Sequence, residues 1–211
     1  MACDTSFENE LIRSGFPLIA GVDEVGRGAL AGPVVAAAVI LNPDDIPDGI
    51  NDSKQLTRRQ RERLSEQIKA RARAFAVARV EHSEIDRINV LRASLRACLE
   101  AVKLLHPFPD HVLMDGNQKI PQLPCPQMSI VKGDSLSASI AAASIIAKVA
   151  RDSLMKEYDE QFPGYGFARH VGYGTREHHL AITRLGPSPI HRLTFHGVRS
   201  LQASLYLSLE T

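Results

Sequence analysis

The chain has 211 residues, with 25 Lys+Arg against 24 Asp+Glu, and is 44% hydrophobic and 23% charged. That composition buries a real core and excludes disordered, collagen-like and low-complexity classes. The longest strongly apolar stretch, residues 32–41, is too short to cross a bilayer, and with no secretory pattern at the start and only Cys3, Cys98 and Cys125, in no Cys-x-x-Cys pair, a reduced cytoplasmic protein with inert cysteines is expected.

In chain order, Leu18–Val22 is an apolar run ending at the pair Asp23-Glu24, and Pro33–Leu41 is apolar throughout; both read as buried strands. Residues 42–51 form a Pro/Asp/Gly loop. Thr57-x-x-Gln60 is a capping box opening a basic helix to about Arg73. Phe75–Val80 is a third strand. Ser83 can cap a helix in which Ile88, Leu91, Leu95, Leu99, Val102 and Leu105 recur at helical spacing, ended by Pro107. His111–Met114 and Gln127–Val131 are further strands. A long helix follows, with Leu136, Ile140, Ala143, Ala147, Ala150 and Leu154 on one stripe. The remainder is rich in Gly, His and Pro, with short helices near Thr175–Leu185 and after Phe195. This order predicts an α/β mixed sheet flanked by helices.

Charge is unevenly distributed. Residues 1–53 hold nine acids and two bases; residues 54–73 hold eight bases and two acids. The basic run fits a solvated helix face, and equally a phosphate-contacting surface beside an acidic pocket.

Three strand ends carry acids beside glycine. Asp23 and Glu24 end the first strand, Asp115 ends His111–Met114, and Asp134 follows Gln127–Val131. A helix cap at Asp134, a turn at Asp115-Gly116 and a solvated strand end at Asp23-Glu24 each explain one site alone. Together the acids point to one crevice at the strand ends, where like charges need divalent cations with oxygen ligands, Mg²⁺ or Mn²⁺. Two such ions can activate a water against a phosphodiester. Gly26-Arg27-Gly28 then offers a backbone that approaches a ligand closely and a guanidinium that forks onto phosphate. No dinucleotide fingerprint or Walker sequence is present. Lys54 and the basic helix are candidate phosphate contacts. The late histidines, His170, His178, His179, His191 and His196, are expected in structural or phosphate-facing roles.

Asp23-Glu24-Val25-Gly26-Arg27-Gly28, with Leu30-Ala31-Gly32-Pro33-Val34-Val35-Ala36, closely resembles the signature of the ribonuclease HII family. The resemblance continues through Asp52-Ser53-Lys54-Gln55-Leu56, Met114-Asp115-Gly116, Lys132-Gly133-Asp134, His170-Val171-Gly172-Tyr173-Gly174-Thr175 and His191-Arg192-Leu193-Thr194-Phe195. It implies a ribonuclease H-like mixed five-stranded sheet flanked by helices over residues 1–160, and a small helical C-terminal extension over 161–211. It implies hydrolysis of RNA in RNA–DNA hybrids and cleavage 5′ of ribonucleotides embedded in duplex DNA, leaving 3′-hydroxyl and 5′-phosphate ends. Asp23, Glu24, Asp115 and Asp134 match the family's metal-binding acids, with Mn²⁺ or Mg²⁺ as cofactor. Gly26, Arg27 and Gly28 match the loop that reads the ribose 2′-hydroxyl, and Tyr173 the ring that packs on the deoxyribose beyond the junction. A sister class, ribonuclease HIII, resembles this pattern in its core but carries Gly-Lys-Gly in the loop; an inactive hybrid-binding module is the other alternative. Action as a monomer in the cytoplasm, with no membrane contact, is expected. Gln202-x-x-Leu205-x-Leu207 resembles a sliding-clamp peptide, and equally an amphipathic terminal helix.

Overall fold

The computed structural model describes residues 3–199; the clamp-like pattern lies outside them. Five strands form one sheet: β1 (Ile19–Val25), β2 (Val34–Ile40), β3 (Ala74–Val80), β4 (His111–Asp115) and β5 (Gln127–Ile130), in the order β3-β2-β1-β4-β5. β1 pairs antiparallel with β2, while β1–β4 and β4–β5 are parallel. β2 is buried along its whole length, as its unbroken apolar sequence requires. The sheet is the mixed five-stranded one expected.

The helices are α1 (Ser6–Arg13), α2 (Arg58–Arg71), α3 (His82–Ile88), α4 (Val90–Lys103), α5 (Ala138–Gln161), α6 (Phe167–His170) and α7 (Arg176–Leu185). α2 opens with the capping box read from the sequence, and Thr175 caps α7. Two differences from the sequence reading have clear causes. The continuous helix expected from Ser83 to Leu105 is broken at Asn89, whose φ is +71° and whose side chain accepts the Arg92 amide. An asparagine tolerates that backbone and restarts a helix as its cap. The first strand runs on to Val25, so Asp23 and Glu24 lie within the ladder, opposite Ala37 and Ala36.

The contacts divide the chain into two compact units: Met1–Val25, Val35–Arg79 and Ser94–Ala150 in the first, and Gly26–Val34, Val80–Ala93 and Arg151–Thr211 in the second. The first holds the sheet. One of its cores joins Ala37, Val39, Leu64 and Ile68 to Ala141, Ala142, Ile145 and Ile146 of α5; another joins Ile19, Leu113, Ile130 and Ile140, with Phe7 and Leu11 of α1 against it. A Cβ on Gly21 would stand 2.0 Å from the Ser139 carbonyl carbon. The start of α5 therefore rests on the β1 backbone, an approach only glycine permits. Glu8, on a helix the sequence reading had missed, fastens this end of α5: its Oε1 accepts the Ser139 amide at 2.9 Å and the Ser137 hydroxyl at 2.6 Å. In the second unit, Ala31, Met155, Tyr165, Phe167 and Ile190 form one cluster and Leu30, Ile182 and Val198 another. No described helix is long and apolar enough to cross a membrane.

Candidate active site

The parallel β1–β4 register places Val22 beside Met114, so Asp23 and Asp115 follow at the same level on adjacent strands. Asp115 lies opposite Ile130 of β5. The chain then passes through Lys132, in the left-handed region, into a 3-10 turn, Gly133–Ser135. Asp115 Oδ1 accepts the Gly133 amide at 2.7 Å, and the Asp134 amide also bonds this carboxylate. One acid thereby fixes the turn that carries the next.

Asp23 and Asp134 are buried, and Glu24 and Asp115 half-buried. Burial pushes the Asp23 carboxyl well above the usual range; Glu24 and Asp115 push it further, against hydrogen bonds from the Ser144 hydroxyl and the Glu24 amide. The Asp115 carboxyl is likewise raised by burial, then by Asp134 and, less, by Glu24, against the Gly133 and Asp134 amides. The four acids read from the sequence thus form one repelling cluster in the first unit.

Lys54 belongs with them. Its ammonium lies 2.7 Å from Asp134 Oδ2 while three-quarters of its side chain stays exposed. The buried Asp52 holds the Lys54 amide at 2.9 Å. Partial burial lowers the Lys54 pKa, but the Asp134 pair outweighs it and the net shift is upward.

Sequence reading missed the supports behind these acids. Ser53 and Ser144 share a buried hydrogen bond of 2.8 Å. Ser144 donates to Asp23, so Ser53 donates to Ser144. Cys98, expected to be inert, sits 3.8 Å from Glu24 Oε2. No local pattern announces these contacts, because their partners lie 91 and 74 residues apart in the chain.

Among the described residues no group of three or more His, Cys, Asp or Glu is already gathered to hold a metal ion. The donor set nevertheless fits a hard divalent cation. It is all oxygen, and burial together with neighbouring acids disfavours the ionised Asp23 and Asp115 carboxyls, the deficit that such a cation relieves.

The Gly26-Arg27-Gly28 loop and Tyr173 both fall in the second unit. Ala29 bridges Tyr173 and Ala31 bridges His191. Two fully buried arginines hold the loop. Arg192 donates to the carbonyls of Gly26 at 2.7 Å, Arg27 at 2.9 Å and Gly32 at 3.0 and 2.9 Å. Arg151 donates to Pro33, Ala31 and Val171 carbonyls at 3.0, 3.2 and 2.8 Å, and its guanidinium lies 5.5 Å from the centre of the Tyr173 ring. The Arg192 pKa falls to about 9, first by burial and then by Arg151. A sequence signal for Arg151 existed: it continues, four residues on, the stripe of Ala147 and Met155, all three fully buried. Gly26 needs to be glycine, with φ +95° and the Arg151 Nε 2.2 Å from a Cβ built there. Gly28 does not, since a Cβ there would meet only the Tyr173 Cε1 at 4.0 Å.

The late histidines divide by place. His170, His178 and His191 are buried, bonded within the second unit, and therefore structural rather than phosphate-facing.

Comparison with known proteins identifies the family and the fold. The family model for ribonuclease HII matches residues 20–198. A ribonuclease HII of Geobacter sulfurreducens is 57% identical over 194 residues, 92% of this chain and 88% of that protein. One of Anaeromyxobacter sp. is 57% identical over 193 residues, but this chain spans only 61% of its length. The crystal structure of ribonuclease H2 from Pyrococcus horikoshii superposes with a TM-score of 0.75 at 26% identity, covering 90% of this chain and 99% of that one. On the family model and on sequence similarity over nearly the whole chain, this chain belongs to the ribonuclease HII family.

Proposed function

We propose that the chain is a Mg²⁺- or Mn²⁺-dependent endonuclease that hydrolyses the RNA strand of RNA–DNA hybrids and cuts 5′ of ribonucleotides embedded in duplex DNA. The products carry 3′-hydroxyl and 5′-phosphate ends, and the enzyme acts in the cytoplasm. The observation that carries the reading is the convergence of Asp23, Glu24, Asp115 and Asp134 on adjacent strands and the turn that follows, where burial and neighbouring acids raise the Asp23 and Asp115 carboxyls. Family membership supports the reaction class.

Asp23, Glu24, Asp115 and Asp134 would hold the metal, which would supply Lewis acidity toward a water and toward charge on the phosphodiester. The protein's own part is to arrange and to discriminate. Ser53 and Ser144 orient Asp23, and Asp115 sets the turn of Asp134. Lys54 covers Asp134 in the free protein and offers an exposed ammonium to substrate phosphate. Arg27 can fork onto a phosphate. Backbone groups at Gly26 and Gly28 are suited to detect a ribose 2′-hydroxyl, which is both donor and acceptor. The half-buried Tyr173 ring then meets a sugar lacking that hydroxyl.

The test is direct. A DNA duplex holding one ribonucleotide, incubated with Mg²⁺ or Mn²⁺, is cut once, 5′ of the ribonucleotide, with the stated ends. No cut with either metal, or equal cutting of all-DNA duplex, overturns the proposal.

A further inference from the structure

The three buried histidines of the second unit form a directed arrangement. His178 Nδ1 lies 3.0 Å from the Tyr173 carbonyl oxygen. A carbonyl only accepts, so this nitrogen carries the proton. In the neutral ring Nε2 is then an acceptor. It faces His191 Nε2 at 3.0 Å, which must donate. His191 Nδ1 must therefore accept, and it does: the Ser188 amide donates to it at 2.8 Å, as does the Ser188 hydroxyl. The two ends of the chain, a backbone carbonyl and a backbone amide, independently demand the same tautomers. The His170 ring stacks on His178 with centroids 4.3 Å apart, and Phe167 meets His178 edge-on at 5.5 Å.

This wire ends on Tyr173, which the Ala29 bridge and the Arg151 guanidinium, 5.5 Å from its ring centre, also hold. Tyr173 is flanked by Gly172, at φ +83°, and Gly174, a backbone path that glycine favours. Its carbonyl also accepts the Thr175 amide at 2.8 Å, and its amide donates to the His170 carbonyl at 2.9 Å. Both are contacts within the same short turn. Among the described residues, His178 is the side chain that ties this carbonyl to a separate segment, through His191 to Ser188.

We propose that His178 and His191 are positioning residues that set the Tyr173 ring for discrimination at the ribonucleotide–deoxyribonucleotide junction, acting through the Tyr173 carbonyl. The inference rests on the reading of Tyr173 as a substrate contact.

Two substrates and four variants test it. Tyr173→Ala measures the reading beneath. His178→Phe keeps an aromatic ring and removes the donor. His178→Asn replaces Nδ1 by an amide nitrogen and keeps the donor. The fourth is the double variant His178→Phe/Tyr173→Ala. A misplaced contact costs tenfold or more in rate, so kcat/KM of His178→Phe at a single embedded ribonucleotide falls about tenfold, with a change under about threefold on a continuous RNA–DNA hybrid. His178→Asn recovers most of the loss, and the double variant is no worse than Tyr173→Ala. Equal loss on both substrates, equal defects in the Phe and Asn variants, or additive losses in the double variant overturn the positioning role. If Tyr173→Ala alone keeps the wild-type ratio, the reading of Tyr173 fails first, and is seen to fail separately. Nitrogen-15 spectra of the wild-type histidines need no variant. They should show Nδ1–H on His178 and Nε2–H on His191 at pH 7; the opposite tautomers, or a charged ring, overturn the inference.

Discussion

The Lys54 ammonium stands 2.7 Å from Asp134 Oδ2, eighty residues along the chain, while most of the lysine side chain remains in solvent. The pair is a local cation placed where the acid cluster lacks one. With the lysine in solvent and its charge screened, such a pair contributes on the order of 1 kcal/mol to stability.

Lys54→Ala therefore leaves folding nearly intact and weakens substrate binding. The expected shift in Tm is under about 4 °C, with KM raised several-fold and a shallower dependence of KM on salt. Thermal melts and kinetics at two salt concentrations check this. An unchanged KM would remove Lys54 from the binding surface.

The acids oppose stability, because burial and mutual repulsion disfavour the ionised Asp23 carboxyl. Asp23→Asn removes one charge while its side-chain oxygen can still accept the Glu24 amide, now at 2.7 Å. In chelator, the variant is expected to melt about 2–4 °C above the wild type and to lose at least about 100-fold in kcat when Mg²⁺ is restored. Added Mg²⁺ should stabilise the wild type more than the variant. A variant that melts lower in chelator contradicts the repulsion argument.

Gly26 and Gly28 separate folding from function. Gly26→Ala forces a side chain into positive φ and onto Arg151, at a cost of about 2–5 kcal/mol. Gly28→Ala meets no such obstacle, so its stability stays within about 0.5 kcal/mol, while cleavage suffers because a methyl group stands where substrate must approach. Denaturant melts and cleavage assays of both variants make the comparison. A stable Gly26→Ala, or a fully active Gly28→Ala, contradicts it.

The buried histidines make the second unit sensitive to acid. Burial first, and then the His170 charge, takes His178 down to about 3; burial takes His191 to about 4. His170 shifts downward as well, mainly by burial. The unfolded chain binds protons at these rings below about pH 6.5 while the folded one does not, so stability is full above that pH and falls on acidification. Down to about pH 4, His178 and His191 each remove about 1.4 kcal/mol per pH unit. Tm measured from pH 7 to pH 4 should drop steeply, and less steeply for His191→Gln. Parallel curves would show that this ring is not the cause.

Much of this protein was legible without coordinates. β1 and β2 announced themselves by apolar runs, α2 by its Thr57 capping box, and the acids by recurring near strand ends beside glycine. These signals are local, since burial on both faces and satisfaction of helix-end amides act within a few residues. Asn89 shows the limit: the apolar stripe continued through it, and only its backbone and cap bond broke the helix. What tertiary structure alone decided were encounters between distant segments. Serines 53 and 144 meet behind Asp23, Glu8 fastens the start of α5, and two buried arginines collect the carbonyls of the glycine loop. Hydrogen bonds and buried charge have no periodicity to betray them. Their partners are chosen by the packing of helices on a sheet, which no single stretch of chain encodes.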